Sequence, residues 1–183
     1  TISATSATTS VATVSASGSV VTVTAKGAGT SVITVKAAAT DYVNEASKTV
    51  TWTVNRRTPA TAVSFSASSV TATCVQAATA VNTTAFTAAT AGHSGTLSYS
   101  VVSAGSGTAT TGLTGWSVNS SRIITVPANT KPGTYSVVIK ATEAQTTTDN
   151  ASTKDATITV TLSKGIQTLN LTSSPANATN TYP

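Results

Sequence analysis

The chain has 183 residues, enough for one large domain or two small ones with a sizeable core. Only 8% of its residues are charged, far below the usual quarter or so; Thr, Ser, Ala and Val dominate, and β-branched residues at regular spacing separate the chain from a disordered linker. The net charge of +5 is carried by scattered lysines and arginines, with Arg56-Arg57 the only adjacent pair, and the aromatics are few and dispersed, so neither a basic stripe nor a base-stacking platform for nucleic acid forms.

No run approaches the roughly 18 apolar residues of a membrane span, and no signal peptide opens the chain. Cys74 is the only cysteine, which excludes an internal disulfide and a multi-cysteine zinc site; in "SVTATCVQA" it reads as a small buried apolar residue. Methionine is absent, so a processed product or an excerpt of something longer is expected.

The first strands are "SVATVSAS" and the pair within "VTVTAKGAGTSVITV", residues 21 to 35. A phosphate loop needs a helix behind it, but β-branched Val32, Ile33, Thr34 and Val35 follow Gly27-Ala28-Gly29. A turn between two strands is therefore expected, with glycine supplying positive φ. In "KTVTWTV", Val50, Trp52 and Val54 share one face and Thr49, Thr51 and Thr53 the other, the pattern of a half-buried antiparallel strand with Trp52 in the core. "NRRTPATAV", residues 55 to 63, reads as a boundary, since Pro59 cannot donate to a ladder.

Leu97-Tyr99-Val101, Tyr135-Val137-Ile139 and Ile158-Val160-Leu162 repeat the alternation. Turn-forming clusters separate the runs at about ten-residue intervals, as in a β-sandwich. The expected fold class is all-β, tandem antiparallel sandwiches: residues 1–57 as a first module lacking its N-terminal strand or strands, 58–163 as a second, and 164–183 as the opening or donor strand of a following module. In that last segment, "GIQTLNL" supplies Ile166, Leu169 and Leu171 as a candidate assembly strand. The head lacks what the tail carries, so either the sequence is one period of an array or each copy donates its tail to complete a neighbour.

Chemistry finds little purchase in the sequence. His93, the only histidine, lies in "ATAGHSGT" beside Ser94 without a nucleophile elbow or a paired acid, and is expected to be a solvated loop residue. Glu143, Asp149 and Asp155 fall in "ATEAQTTTDNASTKDAT", expected to be a gap between strands. They lack the spacing of a calcium loop and read as solvated charges, as do Asp41 and Glu45 beside Tyr42. No catalytic or metal-binding residue, no cofactor and no enzymatic activity is expected. Trp116 is the candidate ligand contact, an indole on which a glycan could stack. Sequons at Asn82, Asn119, Asn150, Asn170 and Asn177 are candidate glycosylation sites if the source glycosylates secreted proteins.

Residues 10 to 54 follow an order of Ser-Val-Ala-Thr-Val strand, Gly turn, Ala-Gly-Thr-x-x-Ile-Thr-Val strand and closing Thr-Val-x-Val. In this they resemble the bacterial immunoglobulin-like group 2 repeat. Residues 63 to 162, through "LSYSVVS", "TGLTGWSVNSSRIITVPANTKPGTYSVVIKATE" and "ATITVTL", look more loosely like a bacterial Ig-like or cadherin-like module. The resemblance implies an extracellular or cell-surface location in an adhesin, surface-layer protein, filament or secreted polysaccharide-acting enzyme. The partners implied are copies of itself or adjacent modules, with surface glycans or host proteins as further partners, and neither nucleic acid nor membrane insertion. A structural role is the expectation, with a glycan-binding accessory region of a polysaccharide-active enzyme as the alternative.

Overall fold

A computed structural model describes residues 1–75, 79–106 and 114–167. Every regular element among them is a β-strand. The first five strands are β1 (Ile2–Ser6), β2 (Ala12–Ser17), β3 (Val20–Ala25), β4 (Gly29–Ala37) and β5 (Ala46–Val54). They form a sheet in the order β1-β4-β5 and a hairpin β2-β3, both antiparallel. The Thr- and Val-rich alternation suits this pleat, since residues opposite one another in register share a face.

The second group is β6 (Ser68–Thr73), β7 (Val81–Ala85), β8 (Leu97–Ser106), β9 (Ser117–Val118), β10 (Ile123–Val126), β11 (Gly133–Glu143) and β12 (Ser152–Ser163). Its sheets run β6-β12-β11-β8 and β7-β10-β9. All pairings are antiparallel except that of β6 with β12, which is parallel. The core between these sheets is continuous. It includes Phe65, Val70, Phe86, Ile124, Val126, Val137, Ile139, Ile158 and Val160, and Phe65, Phe86 and Tyr99 pack as an aromatic trio with centroids 5.4–5.9 Å apart.

The two hairpins β4-β5 and β11-β12 are built alike. Gly29 faces Val54 as Gly133 faces Leu162; Ser31 faces Trp52 as Tyr135 faces Val160; Ile33 faces Val50 as Val137 faces Ile158. Gly29 and Gly133 both have positive φ, 143° and 158°.

The glycine stretch at 27–29 corrects one expectation. It links β3 to β4, which lie in different sheets, so it passes between layers rather than closing a hairpin. Gly27 is buried at the junction, where a Cβ would lie 3.0 Å from Ser10 O and 3.7 Å from the Thr147 side chain, and the Ala28 amide donates to the Thr147 carbonyl at 2.8 Å.

The segment around Glu143 is corrected as well. β11 runs through to Glu143 and β12 begins at Ser152, so the gap shrinks to a short connection and Asp155 becomes an exposed strand residue. Thr142 facing Thr153 and Lys140 facing Asp155 carry the ladder to this end. Polar residues can extend a strand when the opposite face, here Ala141 and Ala156, is buried.

Candidate functional site

The two sandwiches differ most at equivalent positions. Ile158 and Val160 are 0% exposed, whereas Val50 and Trp52, which stand in the same places on β5, are 53% and 40% exposed. Trp52 therefore points to the inner face, as its phase predicts, but does not fill a closed core. The physical reason is missing cover. β12 is flanked by β6, and β10 by β7; among the described residues β5 pairs only with β4 and β3 only with β2.

What closes the first sandwich lies toward β1 and β2. Val11, Ala12 and Ile33 are buried there. The buried Ser31 hydroxyl meets Ser6 Oγ at 2.8 Å and accepts the Thr8 amide at 3.0 Å, while Ser6 Oγ donates to the Ala12 carbonyl at 2.7 Å. This polar staple satisfies every buried group it contains and ties the β1–β2 corner to β4. Among the described residues the sheet is thus sealed on one side and open on the other, where Val50 and Trp52 form an apolar strip beside two strand edges without a partner.

A second polar cluster sits at the junction of the sandwiches. Arg57 donates from Nε to Asp149 Oδ1 and from Nη2 to Oδ2 at 3.4 Å. Backbone bonds bracket the pair, from the Arg57 amide to Thr148 O and from the Asn150 amide to Arg57 O, both at 2.9 Å, and Arg56 Nε reaches Thr146 O at 2.8 Å. The Arg57 hydrogen bond, with a further bond from Thr148 Oγ1 at 2.6 Å, holds the Asp149 carboxyl down at about 2 against the upward push of its burial.

A third cluster corrects the expectations for His93 and Glu143. The Glu143 side chain is completely buried, and His93 is nearly so. Glu143 accepts the amides of Gly92 at 2.8 Å, His93 at 2.9 Å and Gly95 at 3.3 Å, and the Ser152 hydroxyl at 3.3 Å. Burial pushes this carboxyl up, but those amides leave it on balance below its ordinary value. His93 Nδ1 accepts the Gly95 amide at 3.1 Å, so its lone pair serves the loop and not the exposed Ser94. Gly92 and Gly95 are required here because a Cβ would lie 2.1 Å from Thr61 O and 2.0 Å from Ala144 O respectively. The cluster folds the 92–95 loop over the end of β11. Among the described residues no three His, Cys, Asp or Glu side chains are grouped to hold a metal ion.

Trp116 is buried, packed on Tyr135 with centroids 5.4 Å apart, and so offers no stacking face for a ligand. This corrects the expectation of a ligand contact at Trp116; the alternation Trp116-Val118, continued in the paired β10, was the available signal. Asn82, Asn119 and Asn150 are all exposed. Asn82 Oδ1 accepts from Thr125 Oγ1 at 2.9 Å and Asn119 Oδ1 from the Ile123 amide at 3.1 Å. Ile166 is 96% exposed. Leu169, Leu171, Asn170 and Asn177 lie outside the described residues.

These features define an all-β protein of successive, mainly antiparallel β-sandwiches, the first of which is open along one side among the described residues. No family model and no curated protein matches the sequence. Among solved structures, the chain is similar to Drosophila N-cadherin EC1-4, with 15% identity and a TM-score of 0.33 over 88% of this chain and 41% of that one. The chain thus spans less than half the length of that structure.

Proposed function

We propose that this chain is a structural module of an extracellular or cell-surface repeat protein or filament, assembled by β-strand donation from residues 165–183. The observation that carries the reading is the exposed strip of Val50 and Trp52 beside the edge of β5 that has no partner among the described residues. Exposed apolar side chains next to unsatisfied strand edges are costly in isolation and are relieved when another strand is added. Two further features support a spacing role: the Arg57–Asp149 junction, which fixes one sandwich against the next, and a hydroxyl-coated, charge-poor exterior. The resemblance of residues 10–54 to bacterial Ig-like group 2 repeats agrees with it.

The glycan-binding alternative placed Trp116 and the loops around Gly92 and Gly105 against glycan; the burial of Trp116 leaves it without the indole face. Deleting residues 165–183 tests the proposal: loss of filaments in electron micrographs is expected, and filaments of unchanged length and yield would reject donation.

A further inference from the structure

The second sandwich contains, in finished form, the arrangement that the first leaves open. Beyond β12 lies β6, parallel to it, with Val70 opposite Val160 and Thr71 opposite Thr161. Just before β6, Val63 and Phe65 enter the core, where Phe65 packs on Phe86 and Tyr99. Among the described residues nothing equivalent accompanies β5, although its hairpin with β4 matches β11-β12 residue for residue in register.

The missing piece has a sequence counterpart. "AVSFSASSVTAT", residues 62–73, is echoed by "TLNLTSSPANAT", residues 168–179. Val63 and Phe65 correspond to Leu169 and Leu171, while Ser68, Ala72 and Thr73 recur as Ser174, Ala178 and Thr179. At Ser69 the echo has Pro175, which fits an edge strand because proline lacks a ladder donor there.

We infer that residues 168–179 of a second copy lie along the outer edge of β5, parallel to it, with Leu169 and Leu171 taking the places of Val63 and Phe65 and Ala176 opposite Trp52. This rests on the strand-donation reading and adds to it the edge, the direction, the register and the donor. Reach decides that the donor is another copy. β12 leads away from the junction for 12 residues, about 40 Å, and a parallel strand on β5 must begin at the far pole of the first sandwich, beyond a further 9-residue strand, about 30 Å. Only residues 164–167 separate the end of β12 from residue 168, a reach of at most about 18 Å, so residues 168–179 cannot start a parallel strand at the far pole of their own first sandwich. Donation to the next copy is a head-to-tail contact of unlike surfaces. Such a contact builds an open fibre unless its rotation closes a ring.

The test uses the full chain with Cys74→Ala and paired cysteines. Thr161 and Thr71 are register partners, and their counterparts are Thr53 and Asn177. Under mild oxidation, Thr53→Cys with Asn177→Cys should give a ladder of covalent dimers, trimers and longer species on non-reducing gels. Thr49→Cys with Asn177→Cys, displaced by four residues or about 13 Å, should give no ladder. A ladder from the displaced pair, or none from the matched pair in a chain that still forms tail-dependent filaments, overturns the edge or register and leaves donation standing. Chains that remain monomeric without a ladder, as expected if another segment of a longer protein covers β5, overturn both.

Discussion

Arg57 and Asp149 lie side by side in a short parallel bridge, their backbones hydrogen-bonded through Thr148 and Asn150 and their side chains paired in a fork. The connector after β5 is therefore held to the β11–β12 loop by main chain and side chain together. Asp149 has its carboxyl lowered to about 2, so it binds protons less readily folded than unfolded. Its stabilising effect is complete above the ordinary carboxylate value and is lost as pH falls through about 2. Exchange of the Ala28 and Arg57 amides should be protected and constant from pH 7 down to about 4 once intrinsic rates are divided out, then lose protection toward pH 2. Asp149→Asn should show reduced protection at every pH.

The buried loop around Glu143 gives a second prediction. Gly95→Ala drives a methyl group against the Ala144 carbonyl, and overpacking of this kind costs about 1–3 kcal/mol. Urea unfolding should register it in the second sandwich. Glu143→Gln should also destabilise, because the replacement amide cannot accept from three amides with the strength of a carboxylate.

Equivalent positions should respond unequally to truncation. Ile158→Ala empties a sealed site and should cost about 2–5 kcal/mol. Val50→Ala, half in solvent, should fall within about 0.5 kcal/mol in the unassembled chain. Denaturant titration of the two variants at low protein concentration makes the comparison.

Trp52 supplies an optical test of assembly. With Trp116→Phe removing the other indole, emission from Trp52 should be red-shifted in dilute monomer and move to the blue, with less quenching by acrylamide, as copies associate. An emission maximum unchanged between monomer and filament would place the contact elsewhere.

The sheets were legible because alternation is enforced wherever one face is buried: Val50-Trp52-Val54 and Ile158-Val160-Leu162 carry the same phase and take the same face. That phase reports direction and not cover. Nothing within "KTVTWTV" reveals that Trp52 lacks the strand that seals Val160; the signal lay in comparing what precedes each unit. Glu143 and His93 were misjudged for a related reason. A carboxylate in a polar stretch looks solvated until a loop 50 residues away in sequence brings three amides onto it, and no local pattern encodes that meeting. The Arg57–Asp149 pair, 92 residues apart, was likewise invisible to periodicity.

The parallel pairing of β6 with β12 also bears on mechanics. The chain enters the second sandwich through β6 and leaves it through β12, and because the two run the same way, their pulled ends lie at opposite poles. Tension along the molecule slides these strands lengthwise past each other, loading the rungs from Ser68–Ile158 to Thr73–Ser163 together instead of unzipping them singly. Along that axis the second sandwich meets a pull in shear, with its load shared across the ladder.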